Sequence, residues 1–341
     1  MIEYIKGKLS VRTYPALKRS VMDGKGIIIA GTIIVDKLNK IKSFPKVGEL
    51  TKITGLSRAV GGCVPNTAVD FKVISPSVPV YACGKVGADD EGKFVLETLN
   101  GYGVNTDKII VDDTDRTSFT DVMSIIGGER TFFNYTGTSA TFGYDDIDFN
   151  SLDVKMLHLG YFLLLDKVDD GDGLKILKKA KELGIKTSID LVSENSDRYS
   201  IVKPCLEYTD NLIINELEAS AIAGIPYDGT NIRAIAEKLK QLGVKERVII
   251  HMPKVGVCLS NDGYTEVNSF VLPDGYIKGA TGAGDAFCAG ALTGIYKGYS
   301  DKQILEFASS CAAVSLREAD AVSGLMSEDQ INEFCKQFKR A

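Results

Sequence analysis

Residues 279–292 are where residue types and spacing most clearly permit chemistry. After Asp285 the many small residues predict a closely packed helix, and Gly282 and Gly284 lie where that helix would begin. The free N–H groups and positive dipole end of a helix start favour an anion, and glycines let a phosphate approach the backbone. Gly282, Ala283 and Gly284 therefore form a candidate anion hole.

Asp285 places a carboxylate beside this candidate anion hole. One interpretation is a plain helix cap, a task that aspartate performs well. The other is that Asp285 accepts a proton from an attacking hydroxyl, while the N–H groups stabilise charge on a transferring phosphoryl group. The turn is neither a Walker loop nor a dinucleotide fingerprint, because GxxxxGK[ST] does not occur and Phe287 replaces the third glycine.

Polar residues also follow two apolar runs that read as buried strands. Asn215 and Glu218 come after residues 212–214, and Asp190 lies near the end of residues 187–191. Open α/β sheets bind ligands at the carboxyl ends of their strands, and oxygen ligands suit magnesium. Asn215 and Glu218 also fit a helix capping box, Asn-x-x-Glu, and both interpretations can hold at once.

The elements that must position these residues alternate along the chain. Apolar runs typical of strands buried on both faces occur at residues 26–36, 80–86, 156–162, 187–191, 212–215 and 248–252. Helical patterns lie between them, for example at residues 176–183 and 232–242, each followed by glycine. The alternation predicts an α/β fold with a mainly parallel sheet and helices on both faces.

One region breaks the alternation. Residues 117–126 and 130–135 look like two strands joined by Gly127-Gly128-Glu129, which is a hairpin signal. Residues 35–41 and 50–60 also look strand-like. We expect these pieces, within about 35–60 and 115–136, to form a small antiparallel sheet that serves as a lid.

Composition narrows the class of protein. The 341 residues carry a net charge of −5 with interspersed signs, which argues against nucleic acid or an anionic membrane as the main partner. Two histidines exclude a multi-histidine metal site, and the seven cysteines form no CxxC pair. With no apolar run long enough for a membrane span, we expect a cytoplasmic protein whose cysteines are mostly core residues.

Six motifs, in order along the chain, resemble those of the ribokinase-like (PfkB) carbohydrate kinases. They are Gly-Thr-Ile-Ile-Val-Asp at 31–36, Phe-Pro-Lys-Val-Gly-Glu at 44–49, Gly-Gly-Cys-Val-Pro-Asn at 61–66, Gly-Lys-Val-Gly-Ala-Asp at 84–89, Asn-Glu-Leu-Glu at 215–218 and Thr-Gly-Ala-Gly-Asp at 281–285. The resemblance extends from about residue 26 to about residue 324. It implies a ribokinase-like three-layer sandwich with a small β lid.

The resemblance also implies the reaction and its residues. The enzyme would be a phosphotransferase with an alcohol acceptor, moving the γ-phosphate of ATP to a hydroxyl of a sugar or sugar-containing molecule, with Asp285 as general base. The implied residues are Asp36, Gly61, Gly62 and Asn66 for the acceptor, Asn215, Gly256 and Thr281 for the nucleotide, and Glu218, Asn215 and Asp190 for Mg²⁺, partly through water.

Three departures from the family pattern limit what the resemblance implies about the acceptor, the monovalent cation and the nucleotide turn. Cys63 stands where ribokinase has a lysine near the sugar, so D-ribose is not the default acceptor. Gly279 replaces the aspartate of potassium-activated members, which makes K⁺ dependence doubtful; Lys278 is the candidate source of the missing positive charge. Near Gly256, Pro253 replaces the first glycine of the usual nucleotide turn.

Two alternatives to a sugar kinase stay open at this point: a nucleoside kinase of the same fold, and a sugar- or nucleotide-binding sensor without catalysis. We expect residues 1–25 to be an extension ahead of one kinase domain at 26–341. The expected partners are a sugar substrate and ATP, with a homodimer formed through the lid.

Overall fold

The computed structural model describes residues 25–125 and 128–341, and within them strands and helices alternate as predicted. The strands are β1 (Gly26–Gly31), β2 (Ile34–Ile41), β3 (Ile53–Gly61), β4 (Val80–Gly87), β5 (Asn105–Asp112), β6 (Phe119–Ile125), β7 (Arg130–Tyr135), β8 (Val154–Phe162), β9 (Lys186–Leu191), β10 (Asn211–Asn215), β11 (Arg247–His251), β12 (Val255–Ser260) and β13 (Gly263–Asn268). The α-helices are α1 (Cys63–Ile74), α2 (Asp90–Gly101), α3 (Gly173–Glu182), α4 (Glu216–Ala223), α5 (Ile232–Gln241), α6 (Ala283–Lys297), α7 (Asp301–Ser315) and α8 (Glu328–Cys335).

Nine strands form one sheet in the order β13-β12-β11-β10-β9-β8-β1-β4-β5. Pairing is parallel from β11 through β5, and antiparallel only where β12 and β13 are added at one edge. The mainly parallel sheet predicted from the apolar runs is confirmed. Because its strands are parallel, their carboxyl ends share one edge of the sheet.

Helices cover both faces of this large sheet, which makes three layers. Strand β1 shows the arrangement, since Ile27 and Ile29 enter one buried cluster while Ile28 and Ala30 enter the other. The first cluster packs against α1, α2, α6, α7 and α8, and the second against α3, α4 and α5. A strand buried on both faces needs apolar residues at every position, which explains the continuous runs.

The other four strands form a separate small sheet in the order β3-β2-β6-β7. The expected hairpin β6–β7 is antiparallel, as is β2–β3, but the central pair β2–β6 is parallel. The small sheet is therefore mixed, and the prediction that it would be antiparallel was wrong for its central pair of strands. The physical reason is connectivity: a long segment of chain separates β2 from β6, so no hairpin turn forces them into opposite directions.

The apolar run at residues 26–36 divides between the two sheets. Strand β1 ends at Gly31, whose φ of +137° suits glycine, and a Cβ there would lie 2.4 Å from the carbonyl oxygen of Gly160. After Thr32 and Ile33 the chain enters β2. Asp36, expected at the end of the first strand, is instead the third residue of β2.

Some predicted features lie outside the described residues. These are residues 1–24 of the expected extension, Ile126 at the end of the predicted strand 117–126, and Gly127 of the predicted hairpin turn. None of the helices in the described part combines the length and apolar character needed to cross a bilayer.

Candidate active site

The predicted helix after the glycine-rich turn is α6, and its start is open to a ligand. Gly282 caps it with φ +77°, and a Cβ there would lie 2.5 Å from the Cβ of Ala321. The first helical bond runs from Ala286 N–H to the Gly282 carbonyl, at 2.8 Å. Within residues 25–125 and 128–341, the amides of Gly284 and Asp285 have no acceptor, so both can donate to an anion.

Asp285 lies in the first turn of α6 and is only 5% exposed. Asn66 Nδ2 donates to its Oδ2 at 2.9 Å, and the Tyr161 hydroxyl lies 3.1 and 3.0 Å from its two oxygens. Burial, followed by the nearby charge of Asp190, raises the pKa of Asp285 to about 7. A carboxyl with this pKa is poised to accept a proton near neutrality.

Tyr161 is a site residue that the sequence reasoning missed. It lies near the end of β8 with φ +61°, which is unusual for a bulky residue. Its amide donates to Asp190 Oδ1 at 2.6 Å, which helps hold this conformation. In the sequence it lies within the apolar run at residues 156–162 and reads as one more buried strand residue; the glycine before it was the one available signal.

Asn215 and Glu218 form the predicted capping box at the start of α4. Asn215 Oδ1 accepts from the amide of Glu218 at 2.9 Å, and Glu218 Oε2 accepts from the amide of Asn215 at 3.1 Å. Ser193 also donates to Glu218 Oε1 at 2.8 Å. Glu218 is 4% exposed, and burial raises its pKa to about 7.

Asp190 is also near the site, but its oxygens point to protein groups. Oδ1 accepts from the Tyr161 amide, and Oδ2 lies 3.3 Å from His158 Nε2. His158 is completely buried and also bonds Ser188 at 2.6 Å. The charge of Asp190 bears on Asp285, since it is the second cause of the raised pKa.

The predicted acceptor residues meet where β2, β3 and α1 come together. Gly62 begins α1 with φ +84°, and a Cβ on it would lie 2.6 Å from the Thr32 carbonyl oxygen. Gly61 gives room to Asp36, because a Cβ there would lie 2.6 Å from Asp36 Oδ2. Burial raises the pKa of Asp36 to about 6, and its charge also raises the pKa of Asp285.

Two adjoining cavities flank the start of α6. The smaller, about 190 Å³, is lined by polar groups that include Asp285, Asp190, Asn215 and Glu218. The larger, about 630 Å³, has mostly apolar walls, among them Phe270.

The larger cavity contains one of the two predicted loop residues expected to contact the nucleotide. Gly256 lines it, whereas Thr281 is exposed and belongs to the lining of neither cavity. His251 and Gly284 line both cavities and mark where they meet. Lys278 is exposed, and its amide donates to the Leu316 carbonyl at 2.9 Å.

Comparison with known proteins adds an independent line of evidence. The sequence profile described as pfkB family carbohydrate kinase matches residues 27–328. Ribokinase of Arabidopsis thaliana is 24% identical over 314 residues, covering 91% of this chain and 81% of that protein. The probable chloroplastic fructokinase-6 of the same plant is 25% identical over 334 residues, covering 92% and 83%.

A solved structure is also similar in fold. The structure of Arabidopsis thaliana ribokinase complexed with ribose and ATP superposes with a TM-score of 0.80 at 22% identity, covering 92% of this chain and 99% of that one. The predicted ribokinase-like fold is confirmed. The match spans both sheets and the start of α6, so the chain belongs to the pfkB family of carbohydrate kinases, phosphotransferases that act on an alcohol group with ATP.

Proposed function

We propose that this protein transfers the γ-phosphate of ATP to a hydroxyl of a sugar or sugar-containing small molecule, with Asp285 as general base. The observation that carries the proposal is the Asp285 carboxyl itself. It is buried, has a pKa of about 7, and lies beside two amides that lack an acceptor in the described residues. The proposed base and the proposed anion site therefore both lie in the first turn of α6.

The proton is taken by the ionised form of Asp285. Asn66 Nδ2 and the Tyr161 hydroxyl donate to the carboxylate and favour its charge, which orients the base without neutralising it. The acceptor hydroxyl gives its proton to a carboxylate oxygen as it attacks the γ-phosphorus, and the bond from that phosphorus to the bridging oxygen breaks, so that ADP leaves. The amides of Gly284 and Asp285, with the rest of the turn from Gly282 through Ala283, stabilise the charge on the transferring group.

The acceptor would bind beside α1, where two polar groups lack partners. Asn66 Oδ1 is buried and accepts no hydrogen bond, and Asp36 has no hydrogen bond or ion pair among the described residues. Buried acceptors without donors are costly, so sugar hydroxyls would satisfy them. Gly61 and Gly62 shape the same place, because Gly61 gives room to the Asp36 carboxyl and Gly62 lets the Thr32 carbonyl approach the start of α1.

The nucleotide would occupy the larger cavity. Its apolar walls suit a purine base, and Gly256 lines it as proposed for the nucleotide turn. The cavity meets the start of α6 at Gly284, which would bring the phosphates to the free amides. A role for Thr281, at the exposed end of the same turn, stays a prediction.

The oxygen donors of the smaller cavity fit Mg²⁺. Asn215 and Glu218 would hold it, and their existing hydrogen bonds favour contact through water. The third predicted ligand, Asp190, lines the same cavity, but both of its oxygens already bond protein groups. When bound, the ion supplies positive charge to the phosphates. Ser193 and Asn215 would orient the Glu218 carboxylate for this contact.

We also infer a homodimer through the lid. Several large apolar side chains of the small sheet are exposed, and the strand register places Leu56, 76% exposed, on the same face as Phe133, 59% exposed. Such residues on an outer sheet face favour burial against a second copy. Light scattering during size-exclusion chromatography would give the mass, and Leu56→Lys would shift a dimer to monomer; a wild-type monomer would contradict the inference.

The decisive experiment is an ADP-release assay against sugars, sugar acids, polyols and nucleosides. Turnover with a free sugar or sugar derivative supports the proposal. If the enzyme preferred nucleosides, the proposed acceptor would change from a sugar to a nucleoside, and Asp285 would remain the proposed base. Ligand binding without turnover across the panel would identify a sensor and overturn the proposed mechanism.

A further inference from the structure

Behind the catalytic carboxyl lies a buried cluster of four side chains from four different elements. Cys63 begins α1, His158 lies in β8, Asp190 in β9 and Cys288 in α6. The two cysteines and His158 have no part in the proposed transfer. Within the described residues, Cys63, His158 and Asp190 are the group of metal-type donors whose ligand atoms converge within 4.8 Å of one another.

Three distances between donor atoms are close to those of a tetrahedral metal site, and Cys288 lies beside the group of three that converges within 4.8 Å. His158 Nε2 lies 3.3 Å from Asp190 Oδ2 and 3.6 Å from Cys288 Sγ, and Cys63 Sγ lies 3.9 Å from Asp190 Oδ2. With bonds of about 2.0 Å to nitrogen or oxygen and 2.3 Å to sulfur, donors on a tetrahedral Zn²⁺ are about 3.3–3.8 Å apart.

The surroundings orient these donors. His158 Nδ1 hydrogen-bonds Ser188 Oγ at 2.6 Å, which leaves Nε2 directed at the cluster. An outer partner on the other ring nitrogen is the usual support of a metal-binding histidine. The Tyr161 amide similarly holds Asp190 Oδ1, so Oδ2 is the oxygen that faces the other donors.

The absence of a side chain at Gly160 makes room for the thiol of Cys63. A Cβ on Gly160 would lie 1.8 Å from Cys63 Sγ, so any other residue there would push the sulfur away from His158 and Asp190. We propose that Cys63, His158 and Asp190, with Cys288 as fourth ligand, form a binding site for Zn²⁺ or a similar borderline-soft divalent ion. Mg²⁺ is not the expected occupant, because it prefers oxygen ligands alone.

This site would join the two helices that carry the proposed active site. Cys63 precedes Asn66 by one turn of α1, and Cys288 follows Asp285 by one turn of α6. A bound ion would fix these turns relative to each other and would neutralise Asp190, whose charge acts on Asp285. Because Asp190 and Cys288 also line the smaller cavity beside Asp285, the metal would influence the reaction from the wall of that cavity.

The test is metal binding by the full-length protein without nucleotide. Chelator-treated, reduced protein is titrated with Zn²⁺ alone against a chromophoric competitor, and then with Co²⁺, whose spectrum reports thiolate ligands and tetrahedral geometry. The variants are Cys63→Ser and Cys288→Ser. Cys83→Ser is the matched control, because Cys83 is equally buried but lies in β4, away from the cluster.

We expect one Zn²⁺ per chain and a thiolate-to-Co²⁺ charge-transfer band. Cys63→Ser should weaken Zn²⁺ binding by about 100-fold or more, since losing even an outer partner costs about 10- to 100-fold. Loss in Cys63→Ser with no change in Cys288→Ser would support the site with three protein ligands.

Three results would overturn the proposal: no stoichiometric binding by the wild type, a Co²⁺ complex without a thiolate band, or equal loss in Cys83→Ser. Because a serine variant could bind poorly through misfolding, circular dichroism and thermal melting of each metal-free variant are measured alongside. A Cys63→Ser protein that melts like the wild type and binds Zn²⁺ equally well would also refute the site.

Discussion

Helices α1 and α6 both begin at a glycine with positive φ, +84° at Gly62 and +77° at Gly282, and no side chain of the described residues caps either start. The two helix starts differ in the groups that lie opposite their first backbone amides. In α1, Val64 N–H donates to the Thr32 carbonyl at 3.1 Å and Pro65 has no N–H, so little backbone is left for a ligand. In α6 the corresponding amides face a cavity.

The difference assigns separate tasks to similar helix starts. Helix α1 contributes an amide side chain, Asn66, suited to neutral hydroxyls, whereas α6 contributes backbone donors and a carboxylate, suited to charge transfer. The bond from Asn66 to Asp285 joins the two. A glycine-initiated helix is therefore an anion site only where nothing in the protein already covers its first turn.

Removing the charge from α6 is the strongest way to test this contrast. Asp285→Asn should lower kcat by about 10²- to 10⁴-fold, the usual contribution of general base catalysis, while ATP still binds. Steady-state ADP release and a nucleotide-binding titration measure the two effects. Asp90→Asn, at the exposed first turn of α2, is the matched control. Near-normal turnover in Asp285→Asn would eliminate Asp285 as the base.

Adding a methyl group to each helix start should separate their tasks. Gly282→Ala forces a Cβ against Ala321 and Gly62→Ala against Thr32, each at a strain of about 1–3 kcal/mol. We expect Gly282→Ala to lower kcat and raise KM for ATP, and Gly62→Ala to raise KM for the acceptor. Gly284→Ala is milder, because its nearest neighbouring atom is 3.5 Å away.

Identical kinetic profiles for Gly282→Ala and Gly62→Ala would break the contrast between the helices. Thermal melting of both variants separates a loss of binding from a loss of folding. Gly284→Ala provides the reference for adding a methyl group in the same turn without positive φ.

The donors to Asp285 can be tested through pH. The carboxylate form takes the proton, so kcat/KM should fall as pH drops through the pKa of Asp285, about 7. The Tyr161 hydroxyl lowers that pKa, and Tyr161→Phe should move the acid limb upward by about one pH unit, since one bond to a charged group is worth about 1.5–3 kcal/mol. An unchanged or downward-shifted limb would contradict this bond.

Potassium should have the smallest effect. Gly279 has no carboxylate to bind a cation, and a Cβ there would already lie 3.0 Å from Ala319. Replacing Na⁺ by K⁺ at constant ionic strength should leave the rate unchanged within assay error. Strong activation by K⁺ would instead show that another group beside the α6 turn binds the ion, and that Lys278 does not supply the charge.

Local patterns were sufficient for most of the fold. Continuous apolar runs identified β4, β8, β9, β10 and β11, because strands buried on both faces tolerate few other residues. The glycine-rich turn likewise revealed the start of α6, since φ near +77° and a 2.5 Å approach both require glycine.

Long-range juxtaposition could not be predicted in this way. The parallel β2–β6 pair, the division of residues 26–36 between two sheets, and the contact of Tyr161 with Asp285 all depend on segments distant in sequence. The cluster of Cys63, His158 and Cys288 was invisible for the same reason, because its members are 95 to 225 residues apart. Spacing rules for metal sites detect only ligands on neighbouring turns.

The break in the first apolar run has a mechanical consequence. Gly31 is the joint between β1, fixed in the large sheet, and β2, which belongs to the small sheet, and Thr32 immediately after it holds the first turn of α1 through its carbonyl. The joint and the helix start thus share one peptide segment. Any displacement of β2 relative to β1 would therefore also be felt at the start of α1, which carries Asn66.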